Sequence, residues 1–193
     1  MGLTLIQAPS EEPITVEEAK ASPSLRVTTA ANDTDIGVLI ATARDMAETI
    51  TRRAFITQTW ELVLDGFPTG GIVLPMPPLQ SVASIKYIDT DGAQQTLDAL
   101  LYAVDTDSEP GLVVPAYGES WPSTRDEVNA VRVRYVAGYG AAADVPAAIK
   151  TWIKMRAGTL YDNPQALVVG QTVMNVPRDF IDGLLDAYRV ITF

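Results

Sequence analysis

The sequence contains no cysteine and no histidine. Without thiols there are no disulfides and no thiolate metal sites. Without imidazole the chain lacks the commonest general base and the commonest neutral metal ligand. Catalysis by paired carboxylates, by a Ser-Lys pair or through Mg²⁺ needs neither residue type, but no nucleophile beside a base stands out, so no enzyme and no cofactor is expected. Long apolar runs are also missing: nothing approaches the roughly 20 residues that span a bilayer. The start Met1-Gly2-Leu3-Thr4 lacks the basic and apolar regions of a signal peptide. A soluble chain with no membrane partner, staying in the cytoplasm where it is made, is expected.

Basic residues are scarce. Fourteen Lys and Arg stand against 24 Asp and Glu, a formal charge of −10. A wide cationic face that grips phosphates does not fit this balance. A surface that duplex DNA passes without sticking does, since like charge suppresses non-specific binding; a solvated acidic surface kept for solubility is the simpler account and the favoured one.

What is present is ordinary globular composition, 47% apolar and 20% charged over 193 residues. That is enough chain for one compact domain, or for a small domain carrying an insertion. Thr15 followed three positions later by Glu18 is a capping box that opens a short helix, and Pro23 stops it. After Asn32-Asp33, the residues Ile36, Leu39, Ile40, Ala43, Met46, Ala47 and Ile50 recur with helical spacing up to about Arg52. From residue 57 to 140 the pattern changes to short alternating runs broken by Gly, Pro and Asp. Strands are predicted over 57–64, 71–74, 82–89, 94–97, 102–104, 111–114 and 131–136, with prolines 75, 77, 78 and 110 falling between them. Helical spacing returns after Pro146 with Ile149, Trp152, Ile153, Arg156 and Leu160. A loop with Val168, Val169 and Gly170 leads to Pro177, then to a last stripe of Phe180, Ile181, Leu184, Leu185 and Tyr188, and 189–193 reads as an extended end. The predicted fold class is α+β: a helical bundle built from N- and C-terminal segments (1–56 and 141–193) with an inserted antiparallel β subdomain (57–140).

Five motifs invite chemistry. Asp89-x-Asp91-Gly92 begins like a calcium loop but lacks the downstream bidentate Glu, and reads as a hairpin turn with Gly92 at positive φ. Asp105, Asp107 and Glu109 crowd three carboxylates that either hold a hard cation or sit in a solvated loop. Gly138-Tyr139-Gly140 lacks the signature of a phosphate loop and reads as a turn, while Arg52-Arg53 fit the negative end of a helix dipole. Trp121-Pro122 is either an aromatic platform or a lid over the β layer.

Taken in order, the segments resemble the head-tail connector family of tailed phages, whose relatives occur in gene transfer agents and prophages. The resemblance runs through 14–20 (ITVEEAK), Leu25-Arg26-Val27, Ala43-Arg44, 53–60 (RAFITQTW), 74–82 (LPMPPLQSV), Ser120-Trp121-Pro122, 133–140 (VRYVAGYG), Val145-Pro146-Ala147 and 184–190 (LLDAYRV). Ser22-Pro23-Ser24 interrupts what in similar proteins is an unbroken first helix. The resemblance implies a structural virion protein at the neck, a ring, commonly of twelve copies, docked under the portal protein. Such a ring extends the DNA channel, lets double-stranded DNA pass without specific binding, and receives the next neck or tail-completion protein. It also implies that the C-terminal segment reaches the portal, with Tyr188, Arg189, Val190, Ile191 and Phe193 as the docking tail. Neighbouring copies are expected to pack through the two long helices, at Ile36, Leu39, Arg44, Trp152 and Arg156. The alternative is a carbohydrate-binding or adhesin-like β module with helical appendages that uses Trp60, Trp121 and the Tyr residues as sugar platforms.

Overall fold

A computed structural model of the chain describes residues 1–163 and 183–190. The protein is α+β, with antiparallel sheets and helices in two compact units: residues 1–10 with 56–139, and residues 11–55 with 140–193.

The first unit is β-rich. Its five-stranded sheet has the order β1-β2-β8-β4-β5, built from β1 (Gly2–Gln7), β2 (Gln58–Leu64), β8 (Val131–Ala137), β4 (Leu79–Ile88) and β5 (Gln94–Thr96). A three-stranded sheet of order β3-β7-β6 comes from β3 (Ile72–Leu74), β7 (Gly111–Pro115) and β6 (Tyr102–Asp105). The strands predicted between 57 and 136 are all present, because alternation with Gly, Pro and Asp breaks marks half-buried strands directly. β4 starts earlier than expected, at Leu79, and two register shifts against β8 let it follow the twist. β1 was not anticipated from the sequence. All six of its residues are exposed and its pairing partner β2 lies more than fifty positions away, so no burial pattern marks it locally.

The core of this unit lies under alternating residues: Val131, Val133 and Tyr135 of β8, Leu62, Ile72, Leu74, Ile85 and Val113 are buried. Burying each such side chain contributes about 1.5–3 kcal/mol. Burial pushes the Tyr135 phenol pKa up, and its hydroxyl donates to the Pro75 carbonyl at 2.8 Å. On the opposite face of the sheet, Glu61 accepts from Arg132 at 3.0 Å and from Arg134 at 2.9 Å across the β2–β8 pair. Partial burial alone would raise the Glu61 pKa, but the two guanidinium groups outweigh it and hold the carboxyl below its ordinary 4.5. A depressed carboxyl stabilises the fold above that value and loses the contribution as pH falls through its folded pKa. Both arginines are half exposed, so the expected contribution is at most about 1 kcal/mol. Thermal melts at pH 7 and pH 3 should show a slightly larger acid loss for wild type than for Glu61→Gln, and equal losses would exclude the linkage.

The second unit is helical. α1 (Val16–Lys20) opens with the expected capping box: the Glu18 amide donates to Thr15 Oγ1 at 3.1 Å, and the Thr15 amide to Glu18 Oε2 at 3.2 Å. α2 (Asp33–Thr51) places Asp33 and Asp35 in its first turn, where carboxylates meet the positive end of the dipole. α3 (Ala147–Asp162) follows Pro146 as predicted. Ile36, Ile40, Ala43 and Ala47 of α2 and Ile149, Trp152, Ile153 and Ala157 of α3 are buried, and α1, α2 and α3 pack on one another. Gly158 lets α3 approach the 22–25 turn, since a Cβ there would lie 2.5 Å from the Ser24 carbonyl oxygen.

The expected loop with Val168, Val169 and Gly170 lies outside the described residues, as does the start of the expected C-terminal helix with Pro177, Phe180 and Ile181. The part that is described differs from a continued α-helix. Residues 183–185 form a turn, and Asp186–Tyr188 is one turn of 3₁₀ helix closed by the Tyr188 amide on the Leu185 carbonyl. Leu185 is fully buried and the flanking residues bond to the end of α2, so tertiary contacts set this conformation more than the helical spacing does.

Candidate functional site

In the helical unit, the apolar stripe of α2 is split by burial. Ile36, Ile40, Ala43 and Ala47 face the core, while Leu39, Met46 and Ile50 are half-buried and Val38 is 61% exposed. Thr42, Asp45, Met46, Thr49 and Ile50 line a shallow, mostly apolar depression on this outer side. The sequence spacing merged these two stripes into one. Val38 was the missed signal, since with Thr42, Asp45 and Thr49 it continues a second face three to four residues apart.

The residues expected to meet neighbouring copies are placed accordingly. Ile36 and Trp152 are buried side chains of the helical unit and offer no surface to a neighbour; the hydrophobic effect that shaped the spacing has used them internally. Leu39 lies on the outer half-buried side. Arg156 is half-buried on α3, and its Nε has no hydrogen-bond partner among the described residues. Arg44 is engaged within the chain: Nε donates to Glu12 at 2.8 Å and Nη1 to Glu48 at 2.7 Å. Burial on its own would lower the Arg44 pKa, but Glu48 and Glu12 outweigh it and hold it above the ordinary value. Glu48 is itself buried and also accepts the Phe55 amide at 2.7 Å, which ties the chain leaving α2 to its last turns.

The end of α2 is where the C-terminal segment attaches. Arg52 ends the helix in the left-handed conformation, φ 56°. Arg53 Nε donates to the Tyr188 carbonyl, and the Val190 amide donates to the Thr51 carbonyl at 2.9 Å. Arg53 is thus a structural cation, as its position after the helix suggested. Tyr188 and Val190 are half-buried and Arg189 is exposed, its Nε 3.2 Å from Asp186. Ile191 and Phe193, the remaining residues of the expected docking tail, lie outside the described residues.

In the β unit, Asp89 Oδ1 accepts the amides of Asp91 and Ala93, and Gly92 has φ 87°, so this motif is the hairpin turn between β4 and β5. Those bonds, with one from Gln95 Nε2, hold the Asp89 carboxyl below its usual range. Asp105 is occupied similarly: it accepts the amides of Asp107 and Ser108 and the Ser108 hydroxyl, which likewise lower its pKa. Its oxygens shape the β6–β7 turn, and no cluster of three or more potential metal ligands occurs among the described residues. Trp121 stacks on Phe67 at 4.9 Å with an interplanar angle of 7° and donates to the Gly70 carbonyl at 2.8 Å, which is the packed arrangement. Trp60 lies between Leu5 and Tyr135 in the sheet, with its indole nitrogen buried and unpartnered among the described residues. No helix among the described residues is long and apolar enough to cross a membrane.

No family model and no curated protein matches the sequence. Solved structures do match. The chain is similar to one in the virion of a native gene transfer agent particle, with TM-score 0.80 and 20% identity over 100% of this chain and 97% of that one. A chain in the neck of an empty gene transfer agent particle, computed with C6 symmetry, matches with TM-score 0.80 and 18% identity over the same shares. One in the neck of the native particle, computed with C12 symmetry, gives TM-score 0.74 and 16% identity, again over 100% and 97%. Over its whole length, therefore, this chain has the fold of a chain found in the virion and neck of gene transfer agent particles, in line with its sequence resemblance to head-tail connectors.

Proposed function

We propose that the protein is a structural, non-catalytic virion component. It is a head-tail connector subunit that assembles with copies of itself into a ring, a dodecamer, beneath the portal. The ring continues the DNA channel and receives the next neck or tail protein. The observation that carries this reading is the full-length fold match to chains from particle necks computed with C6 and C12 symmetry. The order of the sequence motifs shared with connectors supports it independently.

Ring closure needs a heterologous contact, one face of a subunit against a different face of its neighbour. The outer side of α2, with Val38, Leu39, Met46 and Ile50, supplies one apolar face for it, and Arg156 of α3 brings a guanidinium nitrogen that lacks a partner among the described residues. The tail, residues 188–193, docks on the portal through Tyr188, Arg189, Val190, Ile191 and Phe193. In the free subunit its start rests on the end of α2 through the Arg53 and Val190 hydrogen bonds. Deleting 189–193 removes one described backbone bond to that helix, so the expected stability loss is about 1 kcal/mol. Incorporation onto portal-bearing heads should nevertheless be abolished. The test is electron microscopy of purified full-length and truncated protein mixed with such heads. Absence of rings with the full-length chain would reject the connector reading, and normal incorporation of the truncated chain would reject the tail as the docking element.

The net charge of −10 sets a further expectation for the channel. Acidic side chains on the lumen side should outnumber basic ones, so that the duplex slides past. Electrophoretic mobility shift with duplex DNA at physiological salt should show no retained complex, and a tight one would contradict this placement.

A further inference from the structure

In the three-stranded sheet of the β unit, β3 and β7 bury one face and leave the other open. Ile72, Leu74 and Val113 are buried. Alternation puts Val73, Leu112, Val114 and Ala103 on the other side, where Val73 is 47% exposed, Ala103 is exposed and the other two are half-buried. Gly71 makes room for this arrangement: a Cβ there would lie 2.7 Å from Leu112 Cδ1 and 3.0 Å from Val114 Cγ1. Beyond one end of the sheet, where the Ala116 amide bonds to the Leu101 carbonyl, Leu100 is 83% exposed and Tyr117 fully exposed. A sheet face that leaves apolar side chains open to water is a candidate surface for a partner.

Its rim is of one sign. Between Lys86 and Arg125 the sequence carries seven Asp and Glu and no Lys or Arg. Asp105, Asp107 and Glu109 belong to the β6–β7 turn at one end of the sheet, and Asp98 and Glu119 flank the Leu100–Tyr117 end. Solubility or avoidance of DNA accounts for the acids, but not for an apolar centre inside them. An apolar centre with a charged rim is how protein interfaces are built.

We propose that this face docks a different protein of the neck, one presenting an apolar surface ringed by Lys and Arg. A second copy of the chain is disfavoured by charge. The β unit has four basic against eleven acidic residues, a net of −7, and the helical unit has ten against thirteen, −3, so either would bring like charge. The proposal rests on the connector reading and adds to it the surface that receives the tail-side component.

The experiment uses full-length protein assembled on portal-bearing heads, mixed with purified tails of the same particle, with attachment counted by electron microscopy. Val73→Glu places a charge at the apolar centre, and Asp107→Lys with Glu119→Lys takes the rim formed by Asp98, Asp105, Asp107, Glu109 and Glu119 from −5 to −1. Asp105 is left in place because it holds the turn. Both variants should melt like wild type and form rings in normal number, while tail attachment falls at least tenfold. Wild-type attachment should weaken as salt rises from about 50 to about 300 mM, over which range screening shortens the reach of surface charges, and the nearly neutral rim of the double variant should lose most of that dependence. Wild-type attachment by both folded variants overturns the proposal. Folded variants that no longer form rings also overturn it, because the face would then belong between copies. Failure of the wild-type chain to join heads at all rejects the connector reading itself, an outcome distinguishable from the other two.

Discussion

Replacing Glu48 by alanine is expected to lower stability by about 3–5 kcal/mol, the range found when one partner of a buried ion pair is removed. The side chain is almost fully buried and serves the part-buried Arg44 guanidinium at 2.7 Å and the amide of the buried Phe55 at 2.7 Å. Phe55 is fully buried, so without Glu48 its amide loses this bond and has no ready access to water. Arg44 would keep Glu12 at 2.8 Å, which limits its share of the loss. For a chain of this size each kcal/mol moves the thermal midpoint by about 2–4 °C, so the fall should be on the order of 10 °C. Glu48→Gln retains an acceptor for the Phe55 amide and should fall between. Glu12→Ala removes a pair reaching the surface and should cost about 1 kcal/mol or less. Thermal melts of the three variants would decide it, and a loss below about 1 kcal/mol for Glu48→Ala would mean that the network is solvated in solution.

Gly138→Ala should be comparably damaging for a different reason. Gly138 has φ 126°, and an added Cβ would lie 2.4 Å from the Ile56 carbonyl oxygen and 2.6 Å from its carbon. These are backbone atoms and cannot rotate away. The same glycine donates to the Pro78 carbonyl at 2.9 Å and accepts from Gln80 Nε2 at 2.9 Å, so its peptide is fixed on both sides. Backbone strain alone is worth about 1–3 kcal/mol, and displacement of residues 56 and 57 adds to it. A total of roughly 4 kcal/mol is expected, at the exceptional end for single substitutions. Gly70→Ala is the control, since nothing lies within 4 Å of its added Cβ. Chemical unfolding of both variants measures the difference, and equal midpoints would show that the Gly138 turn yields easily.

Much of the fold was legible in the sequence because the signals are local. A capping box, a proline before α3, a 3.6-residue period and alternation broken by turn residues each act within a few positions, and the helix starts and the strands between 57 and 136 follow from them. Asp89 and Gly92 specify their hairpin for the same reason, since the side chain caps its own turn. The edge strand β1, the burial of Ile36 and Trp152 against Leu39 and Val38 left outside, and the 3₁₀ turn at Asp186–Tyr188 were decided by tertiary structure. Each depends on partners far along the chain: β2 for β1, the packing of α1, α2 and α3 for the stripe, and Arg53 for the Tyr188 carbonyl. Periodicity says that a residue is apolar and on a face. It does not say whether that face meets the chain's own core or a partner, because both are driven by the same removal of apolar surface from water.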